Sequence, residues 1–149
     1  MAKPTTFVGS AVAIYLEDPA SPGTFLRPCG LTNHTATWTK EFQTVNVPDC
    51  DDPELPAWVE RGVSSLDFSA SGTGVLAAEA VDSWWEAFNT TESINARIYV
   101  GKLTDTANGR YWEGKVHISQ FEVTGERGSK ANTSVSLVSD GELTFHQVT

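Results

Sequence analysis

The feature that most constrains this chain is a two-residue alternation of apolar and polar side chains that recurs in segment after segment. Ala36 and Trp38 alternate with Thr35, Thr37 and Thr39, and Leu66, Phe68 and Ala70 with Ser65, Asp67, Ser69 and Ser71. Ile94, Ala96, Ile98 and Val100 alternate with Asn95, Arg97 and Tyr99. Trp112, Gly114, Val116 and Ile118 alternate with Glu113, Lys115, His117 and Ser119. Side chains that change face at every residue belong to half-buried β-strands. In the last of these segments the phase slips at Gln120, after which Phe121 and Val123 take the apolar positions. A slip inside a long strand predicts a β-bulge. Further strands are expected over residues 11–17, 24–26, 42–47, 131–138 and 143–147. Turns are expected at Ala107-Asn108-Gly109, residues 125–129 and Ser139-Asp140-Gly141.

One segment changes to a helical period. Over residues 75–88, Ala77, Val81, Trp84, Trp85 and Phe88 fall on one stripe, with Glu79, Asp82 and Glu86 off it. Gly72-Thr73-Gly74 is expected to open this helix, and Asn89-Thr90-Thr91 to close it. Val81, Trp84, Trp85 and Phe88 are the expected core anchors. The sum is a mainly-β chain, a sandwich or barrel with one flanking α-helix. At 149 residues it reads as a single domain over 1–149 that can bury about 70% of its unfolded surface. Residues 1–10 read as an N-terminal arm. Cys29 and Cys50 read as small buried hydrophobes of a reducing compartment.

Residues 47–62 stand apart as an acidic, proline-rich loop. Pro48, Pro53 and Pro56 alternate with Asp49, Asp51, Asp52 and Glu54, without a regular period. Long irregular loops are usually functional, and Leu55 and Trp58 suit docking better than solvation. A calcium loop fails there, because Pro53 and Glu54 fall where an oxygen ligand and a glycine are required. Cys29, His34 and Cys50 lack zinc-site spacing. His34, His117 and His146 have serines and aspartates around them but no nucleophile elbow. Gly128-Ser129-Lys130 lacks the preceding glycine of a phosphate loop. The expectation is a protein that is not an enzyme and holds no metal or cofactor.

Acids outnumber bases 19 to 10, for a net charge of −9. Eleven acids and one base, Arg61, lie between Glu41 and Ala96. That balance excludes tight sequence-independent binding of nucleic acid, which needs Lys and Arg on the phosphates. The run Val12–Leu16 is too short to span a bilayer, so folding in a cytoplasm without a membrane partner is expected. The polar strand faces, Thr35/Thr37/Thr39, Ser65/Asp67/Ser69/Ser71 and Asn132/Ser134/Ser136, are short, hydroxylated and almost free of Lys and Arg.

Residues 126–145, the acidic segment from Val47 through Trp58 to Arg61, and the helix with its Trp84-Trp85 pair together resemble the major tail proteins of long-tailed bacteriophages and gene transfer agents. The resemblance runs from Val8 to Phe145. It implies a tail tube subunit of a virion or phage-like particle, assembled in the bacterial host cytoplasm. It further implies hexameric rings stacked around a lumen that conducts DNA during delivery without binding it specifically. Other tail components, such as tape measure, terminator and baseplate proteins, would be partners. Four strands per subunit make 24 in a ring. At about 4.8 Å spacing these give a circumference near 115 Å and a backbone diameter of about 37 Å. On this reading Thr35, Thr37, Thr39, Asp67, Ser69, Ser71, Ser134 and Ser136 line the lumen. Asp49, Asp51, Asp52, Glu54, Leu55, Trp58 and Arg61 make contacts between subunits or rings. Two alternatives stay open: a tail terminator or other tail component of the same fold, and a β-sandwich carbohydrate-binding module using Trp38, Trp58 and Trp112.

Overall fold

Among the described residues the alternating segments resolve into eight strands. The computed structural model describes residues 3–149, so the first two residues of the expected arm lie outside the described residues. A short 3-10 turn at Gly9–Ala11 leads into β1 (Ala13–Glu17), β2 (Phe25–Leu26), β3 (Leu31–Val47) and β4 (Trp58–Val75). Then come α1 (Ala78–Asn89), β5 (Ile94–Val100), β6 (Arg110–Thr124), β7 (Asn132–Ser139) and β8 (Thr144–Gln147). The hydrogen-bonded order is β2-β1-β5-β6-β7-β4-β3, with β8 also on β6. The chain divides into two compact units: a body, which runs to Ala36 and resumes at Ser69, and a hairpin, Thr37–Phe68.

In the body, β6 is the strand both halves of the sheet share. Its first half pairs with β5 and β8, from Arg110↔Val100 to Val116↔Ile94. Its second half pairs with β7, and the register shifts between Ile118 and Gln120. The bulge forecast by the phase slip is therefore present, with Ser119 as the extra residue and its hydroxyl donating to the Ser136 carbonyl at 3.1 Å. The bulge lets Ile118 and Phe121 face the same side although they are three apart. The core comprises Ile14 and Leu16 of β1, Ala96 and Ile98 of β5, Val116 and Ile118 of β6, and Val135 and Leu137 of β7, with Trp84 of α1.

The helix differs from expectation at both its start and its stripe. Gly72-Thr73-Gly74 does not open it. These residues stay in β4 and pair with Val135, Ser134 and Thr133. Gly74 allows a close approach: a Cβ there would lie 2.2 Å from the Gly30 carbonyl oxygen. Gly30 itself has φ +94°, a conformation that favours glycine. Within α1 the buried residues are Ala80 and Trp84, and Val81 is half-buried. Trp85 and Phe88 are 53% and 41% exposed and are not core anchors. Trp85 lies about 100° round the helix from Trp84, beyond the narrow face that is covered. Phe88, one turn on, meets it with ring centroids 5.9 Å apart.

The hairpin corrects the loop boundaries. β3 runs to Val47 and β4 begins at Trp58, so the irregular segment is 48–57 rather than 47–62. Past Pro56 the aromatic Trp58 and β-branched Val59 favour an extended backbone, and Arg61 is a strand residue. Within the hairpin, Ser64 Oγ donates to the Glu41 carbonyl at 3.0 Å. Both cysteines, expected inside, are exposed free thiols.

Candidate assembly surfaces

Pairing brings the short polar side chains of the body onto one sheet face. Ser71 sits opposite Ser136 and Thr73 opposite Ser134 across β4 and β7. On the other side of β7, Gln120 sits opposite Ser136, Glu122 opposite Ser134, and Thr124 opposite Asn132. Directly opposed residues share a face, so three adjacent strands present hydroxyls, amides and one carboxylate on it. Gln120, Glu122 and Thr124 were missed in the sequence because the bulge inverts the parity of β6. The phase change at Gln120 was the signal that could have found them. Asn33 of β3 joins this face, its amide donating to Thr73 Oγ1 at 3.4 Å. Thr35, one alternation further along, is exposed.

In the hairpin, Trp38 and Phe68 meet with ring centroids 5.0 Å apart. Alternation then puts Thr37, Thr39 and Asp67 on the other side of their strands, and all three are exposed. Asp67 Oδ1 accepts the Phe68 N–H at 2.9 Å. The tip is shaped by its own acids. Asp49 Oδ1 accepts the Asp51 and Asp52 N–H groups at 2.8 and 3.2 Å, and Asp52 Oδ1 accepts that of Glu54 at 3.2 Å. These are Asx turns, which bend the chain without needing a cation. Leu55 and Trp58 stand out from this end of the hairpin, Trp58 at 86% exposure. Phe42, Val45, Val47, Val59, Val63 and Leu66 are exposed as well. By alternation they fall on both sides of the hairpin, which makes the hairpin the candidate interaction surface.

The carbohydrate-binding alternative fares poorly on geometry. Sugar stacking needs open ring faces in a row. Trp38 is tilted against Phe68, and Trp112 against Phe145 at 5.1 Å, which leaves Trp58 standing clear. Elsewhere in the body, Arg97 lies over the rings of Phe25 and Tyr111, at 4.1 and 4.9 Å to their centroids. Burial works against its charge. The Tyr99 hydroxyl and the Glu113 carboxylate, the latter 3.5 Å from Nε, outweigh it and hold the guanidinium protonated. This is a structural pair between neighbouring strands. His34 is half-buried, with Nε2 shielded from solvent and without a hydrogen-bond partner. Burial first, and the nearby Arg27 charge second, push its pKa below the ordinary 6.5.

A sheet face of short polar side chains and a hairpin that leaves its apolar residues uncovered suit a structural protein better than a catalyst. Residues 6–145 match the family described as phage tail tube protein. The chain belongs to that family, a structural component of the virion tail and not an enzyme. Among solved structures, it superimposes on the tail of an empty gene transfer agent particle refined with C6 symmetry. The TM-score there is 0.76 at 21% identity, covering 95% of this chain and 99% of the other. The virion of a native gene transfer agent particle gives 0.72 at 19%, covering 95% and 99%. The SPP1 tail tube gives 0.69 at 13%, covering 95% and 80%. At these identities the likeness is one of fold. No curated protein matches the sequence.

Proposed function

We propose that six copies of this chain close into a ring and that rings stack into a tube whose lumen conducts DNA. The observation that carries this reading is the polar face shared by β4, β6 and β7. It holds Ser69, Ser71, Ser134 and Ser136, with Gln120, Glu122 and Thr124 beside them and no Lys or Arg over these rungs; on the other side of the bulge β6 carries His117 and then Lys115 on this face. A wall of this kind gives phosphates neither an ion pair nor a long flexible side chain to hold them, and Glu122 and Asp67 repel them. Thr35 on β3, and Thr37, Thr39 and Asp67 in the hairpin, are the further residues of this reading that would line the lumen. Closure into a ring also removes the open sheet edges that make a β monomer prone to aggregation. The C6 symmetry of the related gene transfer agent tail supports the ring number.

Asp49, Asp51, Asp52, Glu54, Leu55, Trp58 and Arg61 then serve contacts between copies, for which the uncovered apolar residues of the hairpin provide the driving area. Tape measure, terminator and baseplate proteins are the partners along and at the ends of such a tube, which would form in the host cytoplasm. Negative-stain electron microscopy of the concentrated protein tests the reading. Rings and striated tubes are expected. Rings that never stack would mark a terminator, and a persistent monomer would overturn the proposal.

A further inference from the structure

The turn that joins β5 to β6 holds the chain's one Asn-Gly step, Asn108-Gly109. Packing requires the glycine. Gly109 is buried, and a Cβ there would meet the Asp105 carbonyl at 2.5 Å, Val148 Cγ2 at 3.0 Å and the Lys102 carbonyl at 3.1 Å. Asn108 before it is exposed. An asparagine followed by glycine is the step at which a backbone most readily attacks its own side chain, because no Cβ shields the attacking nitrogen or restricts its rotation.

That reaction needs water and no other reagent. The Gly109 nitrogen forms a bond to Asn108 Cγ and loses its proton to solvent. The Cγ–Nδ2 bond breaks, and Nδ2 takes up a proton and leaves as ammonia. Water then opens the cyclic imide at either carbonyl, giving aspartate or isoaspartate. The sum is one water consumed and one ammonia released, with no change of oxidation state. Attack requires the nitrogen within about 3–3.5 Å of Cγ and aimed at it. The Asn108 backbone must therefore rotate, and the Gly109 N–H must be let go.

The fold restrains both movements. Gly109 N–H donates to the Asp105 carbonyl at 2.9 Å, a base too weak to take the proton. Asn108 N–H donates to Asp105 Oδ1 at 3.0 Å, so one residue clasps the two peptide groups that must move. On the far side, the Gly109 carbonyl accepts the Val148 N–H and Arg110 Nη1, each at 3.0 Å. Arg110 Nη1 also donates to the Ala107 carbonyl at 3.2 Å, and Gln147 Nε2 to the Thr106 carbonyl at 2.6 Å. The end of β8 and the buried Val148 thus close over the turn.

We propose that Asn108 is a deamidation site of this protein and that the Asp105 clasp keeps it closed in the folded chain. A subunit of a finished virion is not replaced, so slow chemistry accumulates in it unless the structure blocks it. Isoaspartate at this position adds a carbon to the backbone just before β6, where Arg110 pairs with Val100 and Gln147. The end of β8 then loses its seat.

The test compares native and urea-unfolded full-length protein, incubated side by side at neutral pH below the melting temperature. Trypsin then releases residues 103–110 between Lys102 and Arg110, and mass spectrometry reads the conversion of amide to acid. Native wild type should convert about tenfold more slowly than the unfolded chain, because reaction proceeds through a locally opened state. Asp105→Ala, its fold checked by circular dichroism, should recover most of that tenfold. Asp105→Asn keeps the Oδ1 acceptor and should stay within about threefold of wild type. Should Asp105→Ala fail to fold, Val148→Pro, which removes the N–H held by the Gly109 carbonyl, carries the same expectation as that variant. Equal rates in native and unfolded wild type, or a folded clasp variant no faster than wild type, would overturn the clasp. Conversion in the unfolded chain that falls on the other asparagines and spares Asn108 would overturn the site.

Discussion

The body and the hairpin are built from strands with the same alternation, yet they differ in what that alternation hides. In the body the apolar positions of β1, β5, β6 and β7 are buried, with Trp84 closing over them. Across Thr37–Phe68 the one buried residue is Phe68 itself. Trp38, Phe42 and Leu66 occupy apolar positions of the pattern and remain exposed. A two-stranded hairpin is at best marginally stable in water, and this one leaves apolar residues of both its faces uncovered. The difference teaches that a period of two identifies a strand without saying which chain supplies its cover. In the body the cover is internal. In the hairpin it is missing from the chain itself, and on the proposed reading another copy supplies it.

The sharpest way to break that comparison is to truncate one tryptophan in each region. Trp84→Ala should cost about 3–5 kcal/mol in denaturant unfolding, since a fully buried aromatic leaves a cavity. Trp58→Ala should stay within about 0.5 kcal/mol of wild type and yet fail to make tubes by electron microscopy. Normal tubes from Trp58→Ala, or a loss of stability matching that of Trp84→Ala, would make the hairpin an ordinary part of the folded core.

A smaller effect separates the lumen from the outside. Asp67→Lys places six cations on the proposed wall of each ring and should slow DNA delivery several-fold. Glu79→Lys, in the first turn of α1, should leave delivery close to wild type. Equal transfer rates for the two would move the polar face out of the lumen.

The smallest effect belongs to the body alone. The pKa of His34 is depressed in the folded state, so the unfolded chain takes up its proton first as the solution is acidified. The stability tied to His34 is complete above about pH 6.5 and is lost as the pH falls toward the folded-state value. His34→Gln should flatten the dependence of Tm on pH between about 7 and 5. An unchanged slope would assign the dependence to other groups.

Much of the body was legible because its strands alternate cleanly. Residues 94–100 and the slip at Gln120 led directly to β5 and to the bulge. The helix was read too early and its stripe too wide. Periodicity could not show that Gly72 and Gly74 serve a close crossing with Gly30, nor that of two adjacent tryptophans only one could face inward. Asp49 and Asp52 were visible as acids, but their bonds to backbone N–H groups depend on a turn geometry that composition does not reveal. The three polar faces were each legible. Their convergence was not, because it depends on the register of β7 between β4 and β6.

The bulge at Ser119 has a mechanical consequence. Because β6 passes from one set of partners to the other without a break, no loop intervenes between the strands that carry the polar face and the strands beyond them. Force applied along β7 is shared among the rungs that tie it to β6 and to β4, which must shear together rather than unzip one by one. The covalent backbone of β6 then carries the load into β5 and β8. A tube made of such units would resist stretching along its strands, with its weakest points at the contacts between copies.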